Sequence, residues 1–113
     1  MRLIFLLLLS IPAIAQTGAV HLSCNPPAQR EDGKVFNAYE ISFYILYLTK
    51  PDKTVKEFRL DECELDLLLD YGDYSHQAVV CDKNLVCSAK SSVRKFTVQT
   101  PPKKPSYPSA RTI

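Results

Sequence analysis

The segment ISFYILYLT, residues Ile41 to Thr49, decides the fold class of this chain. It is rich in β-branched and aromatic residues, which favour β-strands. Successive side chains of a strand point to opposite faces of a sheet, so this strand has apolar residues on both faces. We expect one set to face the core, namely Tyr44, Leu46 and Leu48. We expect the other set to line the outer face of the sheet, namely Phe43, Ile45 and Tyr47.

Shorter segments with strand-like patterns lie on both sides of this one. Gly18–Cys24 and Tyr74–Cys81 have the two-residue periodicity of half-buried strands. Thr54–Leu60 and Leu85–Val98 are predicted as further strands, whereas residues 61–70 fit both a helical face and a strand. Six or so short strands, with turns about every ten residues, predict an antiparallel β-sandwich.

The composition limits both the size of the protein and the classes of partner. The chain has 113 residues, of which 46% are hydrophobic, and this is enough for one small domain. Fourteen basic and twelve acidic side chains give a net charge of +2. This balance excludes the broad basic surface of a nucleic-acid-binding protein, so we expect no specific nucleic-acid partner.

The N-terminus has the pattern of a secretory signal peptide. Arg2 precedes the apolar run Leu3–Leu9, and Ala13-Ile14-Ala15 forms an Ala-x-Ala cleavage motif. An apolar stretch this short spans about 20 Å as a helix, against about 30 Å for a bilayer core, so a membrane anchor is disfavoured. We predict a signal peptide over residues 1–15, cleavage after Ala15, and a secreted or periplasmic protein that does not span the membrane.

The four cysteines indicate disulfide bonds. They stand at positions 24, 63, 81 and 87, and in a small exported domain four cysteines are typical of two disulfides. Zinc is the competing interpretation, but no Cys-x-x-Cys pair is present and the two histidines stand at no recurrent ligand spacing. We therefore expect no metal and no cofactor.

The C-terminal segment differs from the rest of the chain. Residues 100–113, TPPKKPSYPSARTI, are rich in proline and are predicted to form a flexible tail. The sandwich is accordingly assigned to residues 16–99.

Several segments resemble a fibronectin type III domain of the short kind found in secreted bacterial and phage proteins. Leu22-Ser23-Cys24-Asn25-Pro26-Pro27 is similar to the Leu-Ser-Trp-x-Pro-Pro motif of that family, with Cys24 in place of the core tryptophan. Tyr74, with Leu68 six residues before it, resembles the tyrosine of the family's E–F corner. The resemblance implies an immunoglobulin-like sandwich in which strand A is short or missing, and structural roles for Tyr74 and Leu68.

The resemblance also implies a disulfide pairing. It places strand E at Cys63–Leu67, where Cys63 takes an inward position beside Cys24 on strand B. Cys81 and Cys87 then lie across the turn between strands F and G. The implied bridges are Cys24–Cys63 and Cys81–Cys87, against the immunoglobulin-like alternative Cys24–Cys81, which would join an inward residue to an outward one.

Catalytic and ion-binding patterns are weak. His76 shares the inward face with Tyr74 and Ala78, which favours a buried, hydrogen-bonded histidine over a catalytic one. The acidic residues between 57 and 73 are read as a solvated face, with a calcium site or a basic partner as the alternative. We expect no enzymatic activity.

The binding hypothesis rests on Phe43, Ile45 and Tyr47. Three large apolar residues on an exposed sheet face exceed what a monomer usually exposes, which predicts a partner or self-association. The alternatives are cover by the tail through Tyr107, or a carbohydrate platform. We therefore expect a secreted, non-enzymatic binding or adhesion module for a protein or glycan at a cell envelope or virion surface. The alternative function is a structural subunit of an envelope or virion assembly, completed by a donated strand.

Overall fold

The computed structural model describes residues 17 to 110, which form six β-strands and one short 3-10 helix. The predicted signal peptide, residues 1–15, lies outside the described residues, as do residues 111–113 of the tail. The helix is Ala38–Glu40, and the strands are β1 (Thr17–Ser23), β2 (Ile41–Thr49), β3 (Val55–Leu60), β4 (Glu64–Asp70), β5 (Gly72–Asp82) and β6 (Arg94–Val98).

The strands form two antiparallel sheets that face each other. β1 pairs with β4, and the other four strands follow the order β3-β2-β5-β6. The predicted all-β, immunoglobulin-like sandwich is confirmed. Among residues 17 to 110, β1 pairs with β4 alone, so its other edge has no partner strand within the described part of the chain.

The main core lies between the two sheets. Leu46 and Leu48 of β2 are almost fully buried, and they pack with Leu22, Tyr74 and Val98. The expectation that Tyr44, Leu46 and Leu48 face the core is correct. Because burying one leucine side chain contributes about 1.5–3 kcal/mol, this small cluster supplies much of the stability of the domain.

The ambiguous segment 61–70 forms strand β4, and its register corrects the role given to Leu68. Leu65, Leu67 and Leu69 point inward and pack against the core, whereas Leu68 is 73% exposed. Cys63 is fixed inward by its bridge to Cys24, so odd-numbered residues of β4 face inward and even-numbered residues face solvent. Leu68 therefore has no structural role in the core.

Tyr74 has the geometry expected of a tyrosine corner. Its side chain is buried and its hydroxyl donates a 2.7 Å hydrogen bond to the carbonyl oxygen of Asp70. Its ring stacks on Phe96 with a centroid distance of 5.4 Å. Burial raises the pKa of the Tyr74 hydroxyl, with a smaller contribution from Asp70. The residue thus ties the β4–β5 turn to β6.

Two disulfides join the pairs that the resemblance implies. Cys24–Cys63 connects the end of β1 to the residue before β4, and the Cys24 amide donates to the Cys63 carbonyl oxygen at 3.0 Å. Cys81–Cys87 closes the turn that follows β5. Cys81 lies on the face opposite the main core, as expected, but it is fully buried there.

The last strand is shorter than predicted. Leu85–Val98 was expected to be one strand, but only Arg94–Val98 pairs regularly with β5. Before it, the hydroxyl oxygens of Ser88 and Ser91 accept hydrogen bonds from the amides of Val80 and Ala78. Because serine side chains take the place of backbone carbonyls, residues 83–93 follow β5 as an irregular loop.

Candidate functional site

The apolar face that the sequence singles out is largely closed. Phe43 is only 7% exposed, and Ile45 and Tyr47 are half-buried. The three residues form an apolar cluster with Val79 and Cys81 that is separate from the main core. They share one face as predicted, but the expectation that this face is an open platform is wrong for Phe43.

Cationic side chains from the domain itself cover this face. The Arg59 guanidinium lies 3.7 Å from the centroid of the Phe43 ring, and the Lys90 ammonium lies 4.3 Å from that of Tyr47. Arg59 stands opposite Ile45 in the β2–β3 register, which brings its long side chain across the face. The tail does not cover this face within its described part, since residues 100–110 are all exposed and Tyr107 is 97% exposed.

An open groove lies instead at one end of the sandwich, between two loops. One wall is the loop after β1 and the other is the loop after β5, with Phe36 and Val80 also lining the space between them. The groove encloses about 870 Å³, within the range of sites that hold ligands. We call it the loop groove, and its walls are Pro27, Ala28, Gln29, Arg30, Glu31 and Asp32 on one side and Val86, Cys87, Ser88 and Ala89 on the other.

Arg30 ties these two loops together. Its guanidinium donates to the Glu40 carboxylate at 2.9 Å and to the Asp82 carboxylate at 3.1 Å. It also lies over the Phe36 ring, 4.9 Å from the centroid. A further bond runs from the Lys83 amide to the Glu40 carbonyl oxygen at 3.1 Å. Both walls of the groove are therefore held by bonds between segments distant in sequence.

The carboxylates of this network are stabilised in their charged form. The Val86 and Asn84 amides each donate to Asp82 Oδ1 at 2.9 Å. The bond from Val86 is the largest cause that lowers the pKa of Asp82, and Arg30 adds to it. The pKa of Glu40 is lowered first by the Asn37 amide and then by Arg30. Each acid thus accepts hydrogen bonds from backbone and guanidinium together.

The tip of the second loop is strained and apolar. Leu85 has a φ of 63°, a left-handed conformation that glycine or asparagine adopts at lower cost, and its side chain is 72% exposed. Val86, beside it, is also exposed and lines the groove. The disulfide at Cys87 and the bonds to Asp82 hold these residues at the rim.

The two histidines do not form a catalytic centre with a hydroxyl. Nδ1 of His21 lies 2.7 Å from Asp66, which raises the pKa of His21, but its Nε2 faces the Glu64 carboxylate at 3.9 Å. His76 is half-buried, and its ring makes a T-shaped contact with Phe96 at a centroid distance of 5.8 Å instead of the expected hydrogen bond. Burial, followed by the Arg94 charge, lowers the pKa of His76.

Comparison with protein-family models and with curated proteins finds no match for this chain. Residues 17 to 110 contain no helix of sufficient length and apolarity to cross a bilayer. In the same range, no three histidine, cysteine or acidic side chains are grouped as metal ligands.

One feature of the sequence indicates the loop groove, although it lies outside the segments with strand patterns. Residues 28–40 are polar, with an Asp32-Gly33 turn, and Phe36 is a large aromatic residue within this loop. In the structure Phe36 is buried and covered by Arg30. Of the three large apolar residues in this loop, Val35 and Tyr39 are exposed, and Phe36 is the one that anchors the loop to the rest of the domain. The hydrogen-bond partners of Arg30, which are Glu40 and Asp82, could not be identified from sequence spacing.

Proposed function

We propose that this chain is a secreted, non-enzymatic binding module of the fibronectin type III-like kind, and that it holds a protein partner in the loop groove. The observation that carries the proposal is the Arg30 network, which fixes two loops around an open groove with apolar walls. Loops held on a rigid β-frame are a common location for binding sites.

The sheet order and the tyrosine corner support a module of the fibronectin type III-like kind. The sheet of β1 and β4 corresponds to strands B and E of such domains, and the sheet β3-β2-β5-β6 corresponds to strands C′-C-F-G. The Tyr74 hydroxyl donates to the carbonyl oxygen of Asp70, as in the tyrosine corner of these domains. In that correspondence the groove lies between the B–C and F–G loops. The two disulfides fit an oxidising, extracellular setting.

The lining of the groove favours a protein over a glycan. Apolar surface comes from Pro27, Ala28, Val86 and Ala89, a set suited to apolar side chains. The one aromatic residue among the lining residues, Phe36, is buried beneath Arg30 and offers no open ring for a sugar. Arg30, Glu31 and Asp32 line the same wall and supply charged groups around this apolar surface.

The test is capture of an envelope or surface protein by the mature chain, residues 16–113, followed by identification and titration of the purified pair. The informative variant is Val86→Asp, which places a charge in the groove. The matched control is Val55→Asp, since Val55 and Val86 are 56% and 59% exposed and Val55 lies at the opposite end of β2. We expect Val86→Asp to weaken binding at least about tenfold. Equal binding by both variants would reject the groove as the site.

A second candidate function is a structural subunit of an envelope or virion assembly, completed by a strand from another protein. One observation favours it, which is that no strand within residues 17 to 110 pairs with the edge of β1 where a strand A would lie. Strand addition to such an edge is an established mode of protein recognition.

A further inference from the structure

Four of the described strands have a free edge, and three of these edges carry charges. β3 carries Lys56, Glu57 and Arg59, β4 carries Glu64, Asp66 and Asp70, and β6 carries Arg94 and Lys95. Charged side chains on edge strands prevent pairing with other chains. β1, TGAVHLS, contains no lysine, arginine, acid or proline, and its one titratable side chain, His21, already bonds to Asp66. The edge of β1 is therefore the one that lacks this protection.

The register shows which backbone groups of β1 are free. The Cys24 amide donates to the Cys63 carbonyl oxygen, and these two residues continue the β1–β4 register. Backbone groups alternate in direction along a strand, so Val20 and Leu22 bond to β4. Ala19, His21 and Ser23 then direct their amides and carbonyls away from β4, toward the open edge.

A cleft of about 590 Å³ runs along this edge. It is lined by the consecutive residues 20–25 on one side and 94–96 on the other, with Ala78 and His76 between them. Beyond the cleft, β1 approaches β6 closely at Gly18, where an added Cβ would lie 2.8 Å from Val98 Cγ1. A cleft bounded by two strands fits a single extended segment better than the edge of a second complete sheet.

The charges that line the cleft indicate which kind of extended segment it would bind. Its lining includes Arg94 and Lys95 and no acidic residue, whereas Leu22, Ala78 and Phe96 provide apolar surface. We propose that the edge of β1 accepts an extended, acidic segment of a partner protein, with apolar side chains at alternate positions. The inference rests on the second proposed function, the assembly subunit, and names its site and the chemistry of the donated strand.

The probe is a peptide with the sequence of β4, ELDLLLD, because this segment already pairs with β1 and has the required pattern. On binding to the mature chain, the amides of Ala19, His21 and Ser23 are expected to exchange at least about tenfold more slowly, while those of Val20 and Leu22 stay unchanged. A peptide N-methylated at alternate residues on its pairing edge is the control, and it should give no protection.

The variant is Ala19→Pro, which removes an edge amide but no bond to β4, with Ala19→Ser as its matched control. Ala19→Pro should abolish peptide binding and leave the melting temperature near that of Ala19→Ser. The proposal would be overturned if the amides of Ala19, His21 and Ser23 exchanged at the same rate with a large excess of peptide as without it. It would also be overturned if these amides were already protected without peptide, in a dimer of the chain itself. If an assembly partner still binds the Ala19→Pro variant, the subunit function stands and the edge of β1 is rejected as its binding site.

Discussion

Nη1 of Arg30 donates a 3.1 Å hydrogen bond to Oδ2 of Asp82, a residue 52 positions later in the chain. The same guanidinium bonds Glu40, so one side chain connects the loop after β1, the helix before β2 and the end of β5. Asp82 is buried, and its other oxygen accepts two backbone amides of the opposite loop. The loop groove is preorganised by this arrangement.

The stabilising effect of this network should disappear at acid pH. The pKa values of Asp82 and Glu40 are lowered in the folded protein, so their contribution is present above their ordinary values and is lost as the pH falls through the lowered ones. We expect Arg30→Met to have a lower melting temperature than the wild type at pH 7. This difference should close as the pH falls through the lowered pKa values of the two acids, because both then become protonated.

The measurement is thermal unfolding of both proteins between pH 7 and pH 2, with Lys34→Met as control. Lys34 pairs with Asp32 at 3.9 Å on the exposed surface, so its loss should matter little at any pH. A difference between wild type and Arg30→Met that is independent of pH would contradict the assigned network.

Leu85 is expected to be unfavourable for stability. Because a left-handed conformation costs a non-glycine residue about 1–2 kcal/mol, Leu85→Gly should leave the free energy of unfolding unchanged or raise it by up to about 1 kcal/mol. Urea denaturation measures this, with Leu85→Ala as the variant that truncates the side chain and keeps the strain. A Leu85→Gly protein less stable than Leu85→Ala would show that the strain is absent.

The two disulfides should differ in their contribution to stability. They close segments of 39 and 6 residues, for which the chain-entropy relation gives about 4 and about 2 kcal/mol. Replacing Cys24 and Cys63 together by alanine should therefore destabilise the domain about twice as much as replacing Cys81 and Cys87. Urea denaturation of the two double variants tests this, and the reverse order would contradict it.

Phe43 should act as a core residue, and not as a surface contact. Phe43→Ala is expected to cost about 3 kcal/mol, because it removes a buried ring between β2 and the Arg59 side chain. Leu68→Ala, at a large apolar residue that is exposed, should change stability by less than about 0.5 kcal/mol. Comparable losses in the two variants would show that the outer face is not packed as described.

The strand pattern predicts the fold well because it depends on local alternation. β2 begins and ends where the sequence indicates, and its two faces are assigned correctly. Leu68 is misassigned because its role was implied by the family resemblance, through its spacing of six residues from Tyr74. The register with β1 instead turns Leu67 and Leu69 inward and leaves Leu68 exposed.

The candidate site depends on contacts between distant segments, and these do not appear as a local pattern. The cover on Phe43 comes from Arg59, and the groove depends on the meeting of Arg30 with Glu40 and Asp82. Charged residues that close an apolar face have the same sequence signature as solvated ones. The sequence therefore identifies the strands, whereas the three-dimensional arrangement identifies which face is closed and where the groove is open.

The most direct test of the loop groove as the binding site is amide exchange on residues 16–113, with and without the protein partner that they capture. We expect slower exchange in the two walls, residues 28–32 and 86–89, and little change at Ile45 and Tyr47 on the outer face of the second sheet. Protection confined to that outer face, with the walls unchanged, would contradict the account.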